Sequence, residues 1–173
     1  METMPELFSK FGGHKQAAGL TMSAGKVVEF RERLNSFAKS CLTAEDLCAT
    51  VEPDGEITFA DLIDESAAEV LELAPFGFGN PSPLFAIRDV EIPAPPEPLA
   101  GEKGLWIRLK QNGRTMRIKA WGMAPRASEF TPGARMDVAL AIEDDPYSAA
   151  RGYQPWCVTL KDARPATPAA QTK

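Results

Sequence analysis

Apolar residues recur with a helical period over residues 24–41: Val27, Phe30, Leu34, Phe37 and Cys41 follow at spacings of 3, 4, 3 and 4. That spacing lines one face of a helix, and Ser23 stands where an N-cap belongs. A short strand at 47–51 and a turn at Pro53-Asp54-Gly55 are expected next. A second helix is predicted to begin after Thr58, with Asp61 completing a partial capping box. Its apolar positions are Leu62, Ile63, Val70 and Leu71, and Pro75, which has no amide hydrogen, bars its continuation. Beyond Pro81 the period drops from about 3.6 to 2, the mark of strands. These are predicted at 84–92, 105–111, 114–121, 135–143 and 156–162, with a short helical piece at 124–130 closed by Pro132-Gly133. Residues 93–98 read as a stiff surface loop. The Pro-, Ala- and Thr-rich segment 165–173 is expected to be disordered.

Five strands with a helical piece between the third and fourth follow the order of an OB-fold barrel. The fold class is therefore α+β, an α/β segment followed by a five-stranded OB-fold β-barrel. Asn112-Gly113 between two alternating runs signals a two-residue type I′ hairpin, which requires partner numbers to sum to 225. Leu109 then faces Met116, Ile107 faces Ile118 and Leu105 faces Ala120, so one side is wholly apolar. The other side carries Lys110 with Thr115, Arg108 with Arg117, Trp106 with Lys119, and then Trp121. Like charges directly across a strand pair cost roughly 0.2–1 kcal/mol, so Arg108 opposite Arg117 calls for a reason. A bound phosphate chain supplies one, because a guanidinium offers several donors and keeps its charge. Trp106 and Trp121 would then be stacking platforms worth about 1–3 kcal/mol per base. A solvated outer face whose tryptophans cover a neighbouring domain is the competing reading. The strand 2–3 surface of an OB-fold is a binding surface, which favours nucleic acid.

At 173 residues, 44% apolar and 25% charged, the chain has the composition of a globular protein with one medium or two small domains. No apolar run approaches the ~18 residues of a membrane span, and no signal peptide is visible, so a cytoplasmic location is expected. Cys41, Cys48 and Cys157 show no CxxC spacing and read as buried, reduced thiols. The net charge of −5 speaks weakly against nucleic acid, but its distribution is uneven. Residues 43–72 hold ten acids and no base, while 101–126 hold seven bases and Glu102 alone among acids. A polyanion meets the local patch rather than the sum. The acidic run has no Asp-His-His or Asp-x-Asp cluster; it reads as a solvated face able at most to bind a cation weakly.

Near the start, Gly12-Gly13-His14-Lys15 forms a candidate phosphate site. Successive glycines let backbone N–H groups converge, and a short helix beginning near His14 would add its positive end. A tight turn before a helix would account for Gly-Gly-His equally well. With Ala17-Ala18-Gly19-Leu20-Thr21 behind it, however, the segment resembles the phosphate-gripping motif of the DHHA1 domain in DHH-family phosphoesterases. Pro75-Phe76-Gly77-Phe78-Gly79-Asn80-Pro81 is similar to the RecJ-type single-strand-specific exonucleases of that family. So are Arg114-Thr-Met-Arg-Ile-Lys-Ala-Trp-Gly-Met123, Phe130-Thr-Pro-Gly133, and Arg151-Gly152 ahead of a last strand ending near Lys161-Asp162. The Phe-Gly-Phe-Gly loop is expected to need positive φ at one or both glycines and to join helix to barrel, with Phe76 and Phe78 packed between domains. Contact of Asn80 with DNA is the lesser alternative.

The resemblance implies that residues 1–45 are the C-terminal part of a DHHA1 domain, 46–164 a RecJ-type OB domain with a helical extension, and 165–173 a tail. Members of that family degrade single-stranded DNA from the 5′ end with Mn²⁺ or Mg²⁺, in recombination and repair. With one histidine and no Asp-His-His, this chain is expected to hold neither catalytic residues nor a metal. The DHH catalytic domain would then be a partner. The chain's expected role is to bind single-stranded DNA for such an enzyme. Two alternatives stay open: a regulatory or protein-interaction remnant using its acidic half, and part of a small DHH phosphodiesterase acting on short oligonucleotides or cyclic dinucleotides. The latter usually end at DHHA1, so a barrel behind it favours the RecJ type.

Overall fold

The structure, a computed structural model, describes residues 3–99, 101 and 103–167, and divides into two units that part between Thr50 and Val51. In the first unit, β1 (Lys10–His14) and β2 (Ala17–Thr21) form an antiparallel hairpin, with pairs running from His14↔Ala17 to Lys10↔Thr21. The helix expected near His14 is therefore absent. Ala17 to Thr21 offer a strand partner, and Gly13 lets it approach: a Cβ there would lie 2.6 Å from the Ala17 oxygen. The predicted helix is present as α1 (Val27–Cys41), entered through a 3₁₀ turn at Ala24–Lys26. Ser23 occupies the cap position of that turn without a side-chain hydrogen bond. Phe8 meets Phe30 edge-on at 5.4 Å, whereas Leu34 and Phe37 stay exposed and α1 buries no residue fully. No strand forms at 47–51. Thr43 and Asp46 instead make a reciprocal box (Thr43 N–H to Asp46 Oδ2, 2.8 Å; Asp46 N–H to Thr43 Oγ1, 3.3 Å) that closes a 3₁₀ turn at Glu45–Leu47. Side chains that satisfy local backbone groups in this way compete with strand pairing.

The second unit contains β3 (Gly55–Glu56), α2 (Asp64–Leu71), β4 (Phe85–Glu91), β5 (Glu97–Pro98), β6 (Gly104–Gln111), β7 (Arg114–Trp121), β8 (Arg135–Asp144), α3 (Pro146–Ala149) and β9 (Trp156–Pro165). Their order in the sheet is β3-β4-β8-β9-β7-β6-β5, and Glu91↔Lys110 also pairs β4 with β6. The five long strands thus follow the cyclic order of an OB-fold within a mixed α+β chain. The β6–β7 register is the predicted one, from Gln111↔Arg114 to Gly104↔Trp121, with φ of +49° at Asn112 and +81° at Gly113. Leu109, Ile107, Ile118 and Ala120 are fully buried, joined in the core by Phe59, Ile87, Val90, Phe130 and Leu140.

The differences are local. Thr58 and Asp61 make the expected box (Thr58 N–H to Asp61 Oδ2, 2.7 Å), but α2 starts only at Asp64. The Phe59 amide donates instead to Gln111 Oε1 (3.0 Å), tying that segment to β6. The Trp156 indole fixes the helix start on Asp64 (2.8 Å), Ala67 is the residue α2 buries, and Ile63 is exposed. Residues 93–98 are not all loop, since Glu97 pairs with Trp106 and Pro98 with Leu105. The last strand runs on to Pro165, which pairs with Met136, and the Ala166 amide donates to the Arg135 carbonyl (2.9 Å); residues 168–173 of the expected tail lie outside the described residues. The 124–130 piece is a 3₁₀ helix, Ala124–Glu129.

In the glycine loop, Gly77 and Asn80 exchange backbone hydrogen bonds (2.8 and 3.1 Å), and Gly79 has φ +85°. The Asn80 amide is spent on the carbonyls of Leu73 (3.0 Å) and Pro75 (2.9 Å). Phe76 is half-buried, but Phe78 at the turn's apex is wholly exposed rather than packed. Cys41 and Cys48 are exposed and Cys157 half-buried, so the buried-thiol expectation fails for the first two, which lie in a unit with few buried positions. Among the described residues no helix is long and apolar enough to cross a membrane.

Candidate nucleic-acid interface

The Asn112-Gly113 turn and the apolar pairs beneath it place Trp106, Arg108, Lys110, Arg117, Lys119 and Trp121 on one side of the β6–β7 hairpin. Arg108 faces Arg117 directly. Sequence reasoning missed what lies between them. Glu97 on β5 forms an ion pair with Arg108 through Oε1 and accepts a hydrogen bond from Arg117 through Oε2, both at 2.8 Å. One carboxylate thus relieves the cross-strand repulsion that otherwise called for an outside anion. The only available signal was Glu97 itself, in a proline-rich stretch that carried no strand period. Arg117 also lies over Trp106, 4.3 Å from the ring centroid, with Lys119 at 5.8 Å. Both arginine side chains remain nearly half exposed, and Trp121 is exposed.

The other bases are also paired. Lys110 meets Glu91 at 3.4 Å, and Lys119 meets Asp145 at 3.1 Å with Cys157 Sγ at 3.8 Å. Burial alone would lower the Lys119 pKa, but the Asp145 hydrogen bond and the adjacent Cys157 outweigh it and the net shift is upward. Burial pushes the Cys157 thiol up. Asp145 is held below the ordinary aspartate value by the Ser148 amide first and the Lys119 ammonium second. A lowered folded pKa contributes stability above the unfolded value, and that contribution is lost as pH falls through the folded one. Denaturation midpoints of the parent and Asp145→Asn should therefore differ at neutral pH and converge in acid. A gap that persists after Asp145 is protonated would sink this account. Elsewhere in the basic run, Arg126 is taken up by Glu129 (2.9 Å) and Asp162 (2.6 Å), and Arg114 by the Phe59 carbonyl. The seven bases of the sequence do not form one patch.

Gly12, Gly13, His14 and Lys15 stand together at the β1–β2 hairpin end, in the other unit. The first three are strand residues and Lys15 is in the turn, all exposed. The His14 ring sits 3.0 Å from the Ala17 oxygen through Nδ1. No N–H cradle backed by a helix start is built there. Among the described residues, no three His, Cys, Asp or Glu side chains gather as a site for the Mn²⁺ or Mg²⁺ implied by the resemblance would require.

The family described as RecJ OB domain matches residues 53–155. A single-stranded-DNA-specific exonuclease RecJ from Bacillus subtilis is 28% identical over 133 residues, covering 77% of this chain and 17% of that protein. The RecJ of Dickeya dadantii is 33% identical over 109 residues, covering 63% and 18%. The crystal structure of RecJ in complex with Mn²⁺ from Thermus thermophilus superimposes with a TM-score of 0.70 at 25% identity, covering 98% of this chain and 23% of that one. The chain spans under a quarter of the length of these relatives.

Proposed function

The chain belongs to the RecJ OB-domain family, and from that premise we propose that its β6–β7 face binds single-stranded DNA for a RecJ-type 5′-to-3′ exonuclease of recombination and repair. Under this reading the metal-dependent cutting is done by a DHH domain, and Gly12, Gly13, His14 and Lys15 present a substrate phosphate to it from a DHHA1 segment. One observation carries the proposal: Arg108 and Arg117 stand opposite each other beside Trp106, both aimed at a single carboxylate. Two guanidiniums converging on one small anion suit a phosphate as well as a carboxylate. Glu97 then acts as a stand-in for the strand, displaced when a phosphodiester arrives.

Four bases against three acids on this face make the binding weak. Each phosphate neutralised contributes about −0.7 to the log–log salt slope, so a slope between roughly −1 and −2 is expected. Replacing Arg108 and Arg117 together by Ser should flatten that slope. Trp106→Ala should weaken binding with the slope unchanged, because stacking releases no counterions. Glu97→Gln, which removes the competing carboxylate, should tighten binding. Fluorescence anisotropy with labelled oligothymidylate over a salt series reads all four proteins. If the double Ser variant binds like the parent at every salt concentration, this face is not the site and the protein-interaction reading through the acidic half takes its place.

A further inference from the structure

A second cluster of charged side chains lies away from the hairpin, where β4, β8 and β9 meet. The β4–β8 register shifts between Ile87 and Val90, so Arg88 and Asp89 together oppose Asp137. This is a β-bulge, a device that re-aims side chains. Asp89 takes φ +55°, a conformation uncommon for any residue but glycine. Asp137, only 7% exposed, is held by Arg88 Nη1 (3.0 Å), the Asp89 amide (3.2 Å) and, more loosely, Arg164 (3.3 and 3.4 Å). Arg164 is its register partner on β9. Arg135 donates to the Asp89 carboxylate and, at 2.6 Å, to the Asp89 carbonyl. Arg88 also reaches Glu56 through Nε (3.0 Å).

Arg88, Asp89, Arg135, Asp137 and Arg164, with Ala166 and Thr167, line a cleft of about 540 Å³. Among the described residues, one terminal amino group of each arginine makes no protein hydrogen bond: Arg88 Nη2, Arg135 Nη1 and Arg164 Nη1. The lining itself carries three guanidiniums and two carboxylates, and Glu56, outside it, balances part of the Arg88 charge. The buried Asp137 cannot turn outward to consume the remaining donors, because its oxygens are already taken. Arg88 and Arg164 held by Asp137, and Arg135 held by Asp89, are preorganised, so less freedom is lost when they close on a ligand. Three guanidiniums with spare donors along one cleft suit an oxyanion better than an apolar ligand.

We propose that the cleft between the β4 bulge, the start of β8 and the end of β9 is a binding site for a phosphate group. It is distinct from the β6–β7 face and does not depend on it. The group belongs either to a nucleic-acid strand or to a small free phosphate compound, and the test separates the two.

Nuclear magnetic resonance titrations of the whole chain with inorganic phosphate, and separately with short oligothymidylate, follow the Asp89 amide and the Nε–H signals of Arg88 and Arg164. Both probes should shift these signals saturably, and R135S/R164S should weaken the effect at least about tenfold. Oligothymidylate binding more tightly than inorganic phosphate assigns the site to a strand; equal affinity assigns it to a small phosphate compound. The shifts should persist in R108S/R117S, so failure of the hairpin site leaves this one standing. Should R135S/R164S not fold, R164S alone, at a side chain 64% exposed, carries the same test with a smaller loss. The proposal is overturned if neither probe shifts these signals saturably, or if the folded arginine variants bind as the parent does.

Discussion

Incubated with Mn²⁺ and 5′-labelled single-stranded DNA, this chain should leave the substrate intact under conditions in which the Thermus thermophilus RecJ degrades it. Hydrolysing a phosphodiester with two metals requires a fixed cluster of ligands to hold them at the attacking and leaving oxygens. Among the described residues no such cluster exists, and the lone histidine, His14, is exposed on a hairpin with its Nδ1 beside a backbone oxygen. The acids of 43–72 do not compensate. Asp46 and Asp61 are each engaged by a threonine, and Asp64 by the Trp156 indole. The contrast expected with the control is all or nothing. Metal-dependent degradation that copurifies with the chain and vanishes in His14→Ala would defeat the expectation.

The second large effect is on folding. Ile107 and Ile118 oppose each other on the buried side of the hairpin, both with no exposed surface. Ile118→Ala removes buried methyl groups and leaves a cavity that the surrounding strands cannot close, at a cost of about 2–5 kcal/mol. Ile118→Val should cost about 0.5–1.5 kcal/mol. Against a total of roughly 5–15 kcal/mol for a typical domain, the alanine variant stands near the edge of unfolding. Val28→Ala, at a position 63% exposed on α1, should change stability by no more than about 0.5 kcal/mol. Urea midpoints at constant slope measure all three. If Ile118→Ala moves the midpoint no further than Val28→Ala, this hairpin is not the centre of the core.

Much of the sheet of the second unit was legible without coordinates, because strand periodicity and hairpin chemistry are local. Asn112-Gly113 admits one common turn, the turn admits one register, and the register sorts Ile107, Leu109 and Ile118 from Trp106, Arg108 and Arg117 before any packing is known. Helix α1 and the strand limits of β6 and β7 were readable for the same reason. What failed were elements whose partners lie far off in sequence. β5 exists only because β6 offers it an edge, and Pro98 shows no strand signal of its own. The two glycines before His14 are strand residues because Ala17 to Thr21 fold back onto them. The candidate sites divide along the same line. Residue types and alternation picked out the two arginines and the tryptophan of the hairpin face. Only tertiary structure brought Glu97 between those arginines, and only it gathered Arg88 and Arg164 on the buried Asp137 with Arg135 on Asp89 beside them. An ion pair between distant strands leaves no period in the sequence, since its geometry is set by the sheet order rather than by neighbouring residues.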